Sequence, residues 1–404
     1  MKISIIGQGY VGLPLAMAAT EAGHKVIGFD KNADLVENLN SGISHIEDVL
    51  DSTLKGQIKA KLYSASSNPS DLTGSEIVVI AVPTPLNADR EPDLSFVISA
   101  ANTIGVNLTS PALIINESTS HPGTLRNVIA VEVAKSSNSR IEHFFAVSPE
   151  RVDPGNKTWN VKKTPRILAG LTPKATKLAR NFYSSFCEQL VEVSTPEVAE
   201  TAKLFENTFR QVNIALVNEL ALITRAIGIS VNEVIEAAAT KPYGFMKFNP
   251  GIGVGGHCIP VDPSYLAFTA KEAGIEPRFI QLANEVNLEM PKEITHRIKK
   301  ENGDSLKGKK VLVCGLSYKP NVADTRESPT AILIEELEKE GAIISWHDPL
   351  VSSWQGTNSV ELSDETYDVT IVAVLHDLMD KVKISSTSKY LFDCTGKMPG
   401  GHKL

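Results

Sequence analysis

The sequence predicts an α/β fold in which two doubly wound domains are joined by a long central helix and a helical linker region. Strand-like apolar segments alternate with helical patterns near the start of the chain. From about Thr195 helical patterns alone continue, and the alternation restarts at Lys307. Strands separated by helical patterns are typical of a parallel sheet with helices on both faces. The predicted parts are residues 1–195, 196–300 and 301–404.

Short apolar runs predict the strands of both sheets. In the first domain they are Lys2–Ile6, Lys25–Phe29, residues 77–82, Leu113–Asn116 and Phe144–Val147. In the last domain they are residues 311–315, 342–346, 369–374 and 390–393, with a helix over residues 330–340. The second sheet is therefore expected to be the smaller one.

The central helix is predicted from its end signals. Thr195 suits the N-cap, Pro196 the first helical position and Gly228 the position just beyond the helix. The segment between them has about 32 residues, or roughly 48 Å of helix. It carries more apolar surface than two sheets can cover, so we expect a homodimer built on this helix.

Composition excludes several classes of protein. The 404 residues carry a net charge of -7, which argues against sequence-independent nucleic-acid binding. No apolar run approaches the roughly 20 residues that span a bilayer, and residues 1–7 resemble a strand more than a signal peptide, so a cytoplasmic location is expected. The four cysteines show neither a CxxC pair nor zinc spacing, which predicts free thiols and no metal site.

The first loop has the glycine spacing of a dinucleotide site. Gly7, Gly9 and Gly12 fit GxGxxG, directly after a strand and before a helix. This context is typical of a Rossmann-like domain, where the pyrophosphate lies at the helix N-terminus. Asp30 ends the next strand, and a carboxylate there favours NAD over NADP. The alternative is a structural glycine turn without a ligand.

Cys258 differs from the other cysteines. It lies in a loop rich in glycine and proline over residues 249–263, which precludes a helix or a central strand. A helix starting near Pro263 would favour a thiolate. Cys187 is predicted within a helical run over residues 182–190, while Cys314 and Cys394 are predicted in or beside strands. These three are interpreted as buried structural residues.

Polar residues interrupt the apolar central helix. Lys203, Asn207 and Arg210 stand at i, i+4 and i+7, on one face. A solvated face is the ordinary interpretation of such residues. Because the surrounding stretch is strongly apolar, we expect the Lys–Asn pair to point into a site.

Together these residues resemble the UDP-glucose/GDP-mannose dehydrogenase family over nearly the whole chain. The supporting motifs are VPTP (82–85), EST (117–119), SPER (148–151), the Lys203/Asn207 helix, GGHC (255–258), YKP (318–320) and DTRESP (324–329). SPERVDPGN (148–156), AATKPYGF (238–245) and HCIPVDP (257–263) most resemble the UDP-N-acetylglucosamine 6-dehydrogenases. The family implies an N-terminal NAD domain, a helical region that forms the dimer and a C-terminal UDP-sugar-binding Rossmann-like domain.

The resemblance implies a covalent mechanism. Cys258 would attack the C6 aldehyde of a UDP-sugar to form a thiohemiacetal, which is oxidised to a thioester and hydrolysed. Lys203 and Asn207 would stabilise the oxyanion at C6. The product would supply surface polysaccharide synthesis. The chemistry requires a nucleophile and a cation at C6 in any case, because an alcohol must lose two hydrides to become a carboxylate.

The resemblance also assigns the remaining site residues. Asp262 with Thr119 would position water, and Glu150 would act as acid and base in hydrolysis. The expected cofactor-binding residues are Gly7, Gly9, Tyr10, Val11, Gly12, Asp30, Pro83, Thr84, Thr119 and Arg326. The expected substrate-binding residues are Glu150, Arg151, Lys203, Asn207, Arg210, Asn249, Gly255 and Lys319. Of these, Lys319 is expected to contact the nucleotide.

Two positions depart from the UDP-glucose branch. Pro154 stands where that branch has a second glutamate, and Val261 where it has a lysine. Both differences fit the acetamido-sugar branch, so UDP-N-acetylglucosamine is the leading substrate. UDP-N-acetylgalactosamine, UDP-N-acetylmannosamine and UDP-glucose are the alternatives. A two-domain hydroxyacid dehydrogenase, which needs no loop cysteine, and a non-catalytic nucleotide-sugar sensor are the competing classes.

Overall fold

The computed structural model describes residues 1–137, 141–152, 156, 158–256 and 258–404. Within them the chain forms two compact units, Met1–Glu206 and Asn207–Leu404, and the division falls inside the longest helix. Each unit contains one sheet of mainly parallel strands with helices around it. The predicted fold class is confirmed, while the division into three domains stays a prediction.

The sheet of the first unit has the strand order β3-β2-β1-β4-β5-β6-β7-β8. Its strands are β1 Lys2–Ile6, β2 Lys25–Phe29, β3 Tyr63–Ser66, β4 Ile77–Ile80, β5 Leu113–Asn116, β6 Phe144–Val147, β7 Arg166–Gly170 and β8 Leu190–Glu192. Its helices are α1 Gly12–Glu21, α2 Ala33–Asn40, α3 Asp51–Lys59, α4 Ser95–Asn107, α5 Ala130–Ser136 and α6 Pro173–Tyr183, with a 3₁₀ turn at Pro69–Leu72 and a π-helical segment at Leu125–Ile129.

Both faces of this sheet are buried. Along β4, Ile77 and Val79 belong to the apolar cluster on one face, and Val78 and Ile80 to the cluster on the other. This alternation follows from the two-residue period of a strand. It explains why the strand consists entirely of apolar residues, as expected where helices cover both faces of a parallel sheet.

Strands β3, β7 and β8 of the first unit were not predicted from the sequence, and the predicted position of one cysteine was wrong. Strand β7 runs antiparallel to β6, and β8 is only three residues long. Cys187 does not lie in a helix, because α6 ends at Tyr183 and the chain turns there. Its N–H still bonds to the Tyr183 carbonyl at 2.7 Å, and Cys187 is buried as predicted.

The second unit contains a smaller sheet with the order β10-β9-β13-β14-β15. The strands are β9 Lys310–Cys314, β10 Ile343–His347, a small hairpin of β11 Ser353–Trp354 and β12 Thr357–Asn358, β13 Val369–Val372, β14 Leu391–Asp393 and β15 His402–Lys403. The helices are α7 Pro196–Ala226, shared with the first unit, α8 Val231–Ala239, α9 Asp262–Glu272, α10 Arg278–Glu301, α11 Pro329–Lys339 and α12 Lys381–Ser386. All the pairs in the five-stranded sheet are parallel. Cys314 and Cys394 are buried at its strand ends, as predicted.

Helix α7 has 31 residues, close to the predicted length. The Thr195 hydroxyl accepts the N–H of Val198 at 3.4 Å, and Gly228 has a φ of +76° just beyond the helix. Both end signals therefore act as predicted. Among the helices of the described residues, none has the length and apolarity that crossing a membrane requires.

Glu200 attaches the start of α7 to the segment that follows β5. Its carboxylate accepts the N–H of Gly123 at 2.7 Å, the N–H of Leu125 at 3.1 Å and the hydroxyl of Ser120 at 3.3 Å. Burial raises the pKa of Glu200 to about 7, although these hydrogen bonds act in the opposite direction. The contact fixes the loop that contains Thr119.

The ionisation of Glu200 should appear in the pH dependence of stability. Because the pKa of Glu200 is higher in the folded chain than when unfolded, its contribution is complete below the unfolded pKa. That contribution is lost as pH rises through about 7. The separation from the ordinary value of 4.5 corresponds to roughly 3 kcal/mol. We expect Glu200→Gln to remove this loss, measured by urea unfolding at about pH 5 and about pH 8.

Glu197→Gln is the matched control. Glu197 lies one turn earlier on α7 and pairs with Arg126 at 2.8 Å. Its pKa is lowered, mainly by the hydrogen bond from Arg126, so this variant should keep the wild-type dependence over that range. An unchanged pH dependence in Glu200→Gln would contradict the assignment.

Candidate active site

The glycine turn after β1 is tightly packed on one side and open on the other. A Cβ on Gly7, whose φ is +92°, would lie 2.3 Å from the carbonyl oxygen of Ala81. A Cβ on Gly12 would lie 1.9 Å from the carbonyl oxygen of Gly7, whereas one on Gly9 would meet nothing within 4 Å. The open side lies at the N-terminal end of α1, where a pyrophosphate can approach the backbone closely. The turn thus fits a dinucleotide.

Asp30 lies beside this turn. Its carboxylate accepts the N–H of Gln8 at 2.9 Å and the N–H of Asn32 at 3.0 Å. The buried side chain of Gln8 accepts the hydroxyl of Tyr63 at 2.8 Å and donates to the carbonyl of Ile5 at 2.9 Å. The Gln8 side chain therefore ties the glycine turn to strands β1 and β3. This role of Gln8 was not predicted, although a polar residue between two motif glycines is a visible signal in the sequence.

The loops after β4 and β5 are joined to each other. The Ser118 hydroxyl donates to the carbonyl of Val82 at 2.8 Å. Thr84 is buried and Pro83 is exposed, while Thr119 is half-buried. The predicted cofactor residues of these loops therefore lie at the carboxyl edge of the sheet, next to the glycine turn.

Glu150 follows β6 and lies close to Lys203. Its Oε1 accepts the N–H of Val152 at 2.6 Å. Removal from solvent raises the pKa of the Glu150 carboxyl, and the charges of Lys203 and Arg166 oppose that rise. Such a carboxyl can hold a proton more readily than an exposed one, as an acid/base group requires.

An ion pair beneath Glu150 was missed in the sequence. Arg166 contacts the Glu117 carboxylate at 2.8 Å, and both side chains are buried. Tyr183 donates its hydroxyl to the same carboxylate oxygen at 2.5 Å. Burial acts to lower the pKa of Arg166, but Glu117 holds it above its ordinary value. Glu117 stands in a family motif, whereas no sequence signal indicates Arg166, since it reaches this edge only because β7 runs antiparallel.

Arg151, a predicted substrate residue, is engaged by another side chain of the first unit. It contacts the Glu206 carboxylate at 2.6 Å and donates to the carbonyl of Pro165 at 2.7 Å. Pro154 and His257 lie outside the described residues.

In the second unit, helix α7 anchors the cysteine loop at both ends. The Asn218 side chain accepts the N–H of Gly251 at 2.9 Å. The Asn207 side chain donates to the Asp262 carboxylate at 2.5 Å. The carbonyl of Cys258 accepts the N–H of Asp262 at 2.8 Å. The structure thus brings Asn207, Asp262 and the Cys258 backbone together.

Cys258 is the one exposed cysteine of the four, all of which lie in described residues. Helix α9 begins at Asp262, one residue before the predicted start. Cys258 therefore lies four residues before the N-terminal, positive end of that helix. The neighbouring described residues hold no cluster of three His, Cys, Asp or Glu side chains suited to a metal ion.

The glycines before Cys258 pack against the segment that follows β9. A Cβ on Gly256, whose φ is +88°, would lie 2.7 Å from the ring of Tyr318, and one on Gly255 would lie 2.8 Å from the Tyr318 Cβ. The Gly256 N–H donates to the carbonyl of Arg326 at 3.2 Å. The predicted nucleotide residue Lys319 is therefore on a segment in direct contact with the cysteine loop.

The remaining predicted site residues differ in burial and in their partners. The Arg326 guanidinium pairs with Asp324, with Nε and Oδ1 2.9 Å apart and Nη2 and Oδ2 2.5 Å apart. Arg210 and Asn249 are exposed. Lys203 and Asn207 are both buried, so the solvated-face interpretation is wrong for these two.

Comparison with known proteins gives matches along nearly the whole chain. Residues 1–187 match the NAD-binding domain of the UDP-glucose/GDP-mannose dehydrogenase family, residues 197–289 its central domain and residues 312–398 its UDP-binding domain. The UDP-N-acetyl-D-mannosamine dehydrogenase of Pyrococcus horikoshii is 35% identical over 400 residues, covering 96% of this chain and 93% of that protein. The UDP-N-acetyl-D-glucosamine 6-dehydrogenase of Pseudomonas aeruginosa is 35% identical over 390 residues, covering 93% and 90%.

A solved structure has the same fold. The UDP-N-acetylmannosamine dehydrogenase structure from Pyrococcus horikoshii aligns with a TM-score of 0.90 at 32% identity, covering 100% of this chain and 98% of that one. The glycine turn and Asp30 provide a fitting site for the cofactor of the matched NAD-binding domain. The chain therefore belongs to the UDP-glucose/GDP-mannose dehydrogenase family and is an NAD-dependent nucleotide-sugar dehydrogenase.

Proposed function

We propose that the protein oxidises the C6 hydroxymethyl group of UDP-N-acetyl-D-glucosamine to the carboxylate and that the product supplies surface polysaccharide synthesis. The observation that carries this proposal is the exposed thiol of Cys258, placed directly before α9 in a loop that α7 anchors at both ends. A loop held in this way keeps the nucleophile in one place through two successive oxidations.

Cys258 would act as a covalent nucleophile. After the alcohol has become an aldehyde, the sulfur forms a bond to C6 and the aldehyde oxygen takes a proton, giving a thiohemiacetal. Loss of a second hydride from C6 together with the hydroxyl proton gives a thioester, and water then cleaves the C–S bond to give the carboxylate and return the thiol. NAD, when bound, would accept a single hydride, so the two oxidations require two NAD molecules per sugar.

Lys203 and Asn207 would stabilise negative charge on the C6 oxygen. They stand one turn apart on α7, and both are buried. A cation and an amide in a water-poor site stabilise an oxyanion more strongly than they would in bulk water. The bond between Asn207 and Asp262 would orient the amide.

Hydrolysis of the thioester would use the carboxyl groups. Glu150, with its raised pKa, would exchange protons as acid and base, and Asp262 with Thr119 would hold the attacking water. Lys319 and Arg151 would contact the substrate, together with Arg210, Asn249 and Gly255. Arg326 would contact the cofactor.

The identity of the sugar is supported by the relatives. Two of the relatives at 35% identity are named for UDP-N-acetyl-D-mannosamine and UDP-N-acetyl-D-glucosamine, and both sugars carry a 2-acetamido group. The motifs over residues 238–245 and 257–263 favour the glucosamine sugar. UDP-N-acetylmannosamine is the alternative with most support, followed by UDP-N-acetylgalactosamine and UDP-glucose.

A panel assay tests the substrate. NADH formation is measured with the four UDP-sugars, and we expect the highest kcat/KM with UDP-N-acetylglucosamine and about two NADH per sugar consumed. With NADP in place of NAD we expect little reduction, because the Asp30 carboxylate would repel a 2′-phosphate. A higher kcat/KM for another sugar would reassign the substrate.

Replacing Cys258 tests the mechanism. We expect Cys258→Ala to abolish acid formation while NAD and UDP-sugar binding remain near wild type, and Cys258→Ser to accumulate a slowly hydrolysed ester. Cys187→Ala, Cys314→Ala and Cys394→Ala are matched controls, which should lose at most roughly 1–2 kcal/mol of stability. Acid formation by Cys258→Ala at near the wild-type rate would rule out the covalent mechanism.

We also propose a homodimer built on α7. Three apolar residues of this helix stand seven positions apart and are exposed: Phe209 by 41%, Leu216 by 60% and Ile223 by 52%. Ile227, which is exposed by 65%, follows directly after the last residue of the helix. The spacing of seven places the three helical residues on one face of the helix. A contiguous apolar stripe of this kind is typical of an interface between copies.

Light scattering tests the dimer. We expect a mass of about twice 43.6 kDa at micromolar concentration, and a shift toward one copy when Leu216 and Ile223 are both replaced by Glu, since charges would be buried without partners. Leu50→Glu, at a residue 65% exposed in the first unit, is the control and should leave the mass unchanged. A single-copy mass for the wild type would contradict the proposal.

A further inference from the structure

A buried polar cluster lies at the carboxyl edge of the second sheet. Ser317, Asp348 and His376 follow strands β9, β10 and β13 and are almost completely buried, at 0%, 2% and 1% exposure. Parallel strands end at the same edge, and ligands of such sheets bind outside their carboxyl ends. The cluster is therefore at the place where this unit should hold its nucleotide.

The cluster is not a second nucleophilic site. The Ser317 hydroxyl and the Asp348 carboxylate both contact the same ring nitrogen of His376, Nε2, at 2.9 and 3.1 Å. In a Ser-His-Asp triad the hydroxyl and the carboxylate occupy opposite ring nitrogens. The cluster must therefore serve another purpose.

The other nitrogen of His376 shows what that purpose is. Nδ1 lies 2.8 Å from the backbone nitrogen of Asn321. A backbone N–H can only donate, so Nδ1 accepts, and a neutral ring carries its proton on Nε2. Nε2 then donates to Asp348. The imidazole thereby connects a buried carboxylate to one particular backbone amide.

The two groups together hold both ends of one loop, residues 316–321. Asp348 Oδ2 accepts the N–H groups of Leu316 and Ser317 at 2.8 and 3.1 Å. His376 holds the far end through Asn321, whose φ of +62° lies in the left-handed region. The backbone between these two points can adopt few other conformations.

The loop contains Lys319, which is proposed to contact the nucleotide of the substrate. Lys319 stands between the two fixed ends and is half-buried, and the Tyr318 ring packs against Gly256 of the cysteine loop. The side-chain amide nitrogen of Asn321 also donates to the Asp377 carboxylate at 2.9 Å, and the side-chain oxygen of Asn321 accepts the backbone N–H of Asp377 at 2.9 Å. Fixing the loop thus fixes Lys319.

We propose that His376 is a positioning residue for substrate binding, because its Nδ1 holds the Asn321 amide and so keeps Lys319 in place to receive the nucleotide of a UDP-sugar. The inference rests on the proposed function through the contact between Lys319 and the nucleotide. His376 is almost completely buried and its ring nitrogens contact Ser317, Asp348 and Asn321. It acts through the backbone of the loop.

Two substitutions at His376 separate its two hydrogen bonds. In His376→Asn the side-chain oxygen lies near the position of Nδ1 and can still accept the Asn321 N–H, but the hydrogen bond to Asp348 is lost. In His376→Gln the side-chain amide reaches the position of Nε2 and can still donate to Asp348, but the hydrogen bond from Asn321 is lost. Each variant loses one buried bond, so a merely structural role predicts similar losses of affinity in both.

The measurement is the Kd for UDP by calorimetry, with KM for the UDP-sugar and kcat in parallel. We expect His376→Gln to weaken UDP binding and raise the sugar KM by roughly tenfold, with kcat and the Kd for NAD near wild type. His376→Asn should stay within about threefold of wild type. His347→Asn is the control, since that histidine bonds at 2.7 Å to the carbonyl of Val360 and not to the loop.

A second variant tests the same inference if His376→Gln does not fold. Asp377 is exposed and supports the same end of the loop through Asn321, so Asp377→Ala should fold and weaken UDP binding by roughly threefold. Equal effects of Asn and Gln at His376, or wild-type UDP affinity in both His376→Gln and Asp377→Ala, would overturn the inference. Failure of the wild-type protein to bind UDP would instead overturn the proposed nucleotide site.

Discussion

Helix α7 buries several polar side chains, and their hydrogen bonds hold loops in both units. Its buried polar residues are Glu200, Lys203, Asn207, Thr208, Gln211, Asn218 and Thr224. A buried polar group without a partner costs several kcal/mol, so each requires a particular neighbour. In the first unit Glu200 holds the loop that contains Thr119, and in the second Asn207 and Asn218 hold the cysteine loop. One helix therefore fixes functional loops in both units.

The parallel sheets place the remaining residues that are proposed to form the site. In the first sheet the glycine turn, Thr84, Thr119 and Glu150 follow β1, β4, β5 and β6. Because neighbouring parallel strands end at one edge, residues far apart in sequence become neighbours without any local sequence pattern. In the second sheet the same geometry brings together Ser317, Asp348 and His376. The smaller sheet thus repeats the arrangement that gives the first its dinucleotide site.

Pro154 stands where the UDP-glucose branch has a second glutamate, so the environment of Glu150 is the one to consider for hydrolysis. A single carboxyl group must serve hydrolysis if no second glutamate takes part. Removal from solvent raises its pKa, while Lys203 and Arg166 prevent a larger rise. The Arg166 charge is itself paired with the Glu117 carboxylate. Burial therefore favours the protonated form of Glu150, while the two cations favour its carboxylate form. This balance fits one residue that acts first as base and then as acid.

Much of the fold and part of the site could be predicted from the sequence, because the responsible signals are local. The glycine spacing after β1, the end signals of α7 and the apolar runs of β1, β2, β5 and β6 each depend on residues within one or two elements. The same locality explains the error at Cys187, where an apolar run continued past the true end of α6.

The tertiary structure decided which polar groups form hydrogen bonds and ion pairs with each other. Glu200 meets Gly123, Arg166 meets Glu117, and His376 meets both Asp348 and Asn321. These partners are separated by 77, 49, 28 and 55 positions and share no period. Their identity depends on strand order, on the antiparallel direction of β7 and on which strand ends meet at one edge. The sequence determined the chemical groups available, and the packing of helices on sheets determined which of them became buried and therefore needed one another.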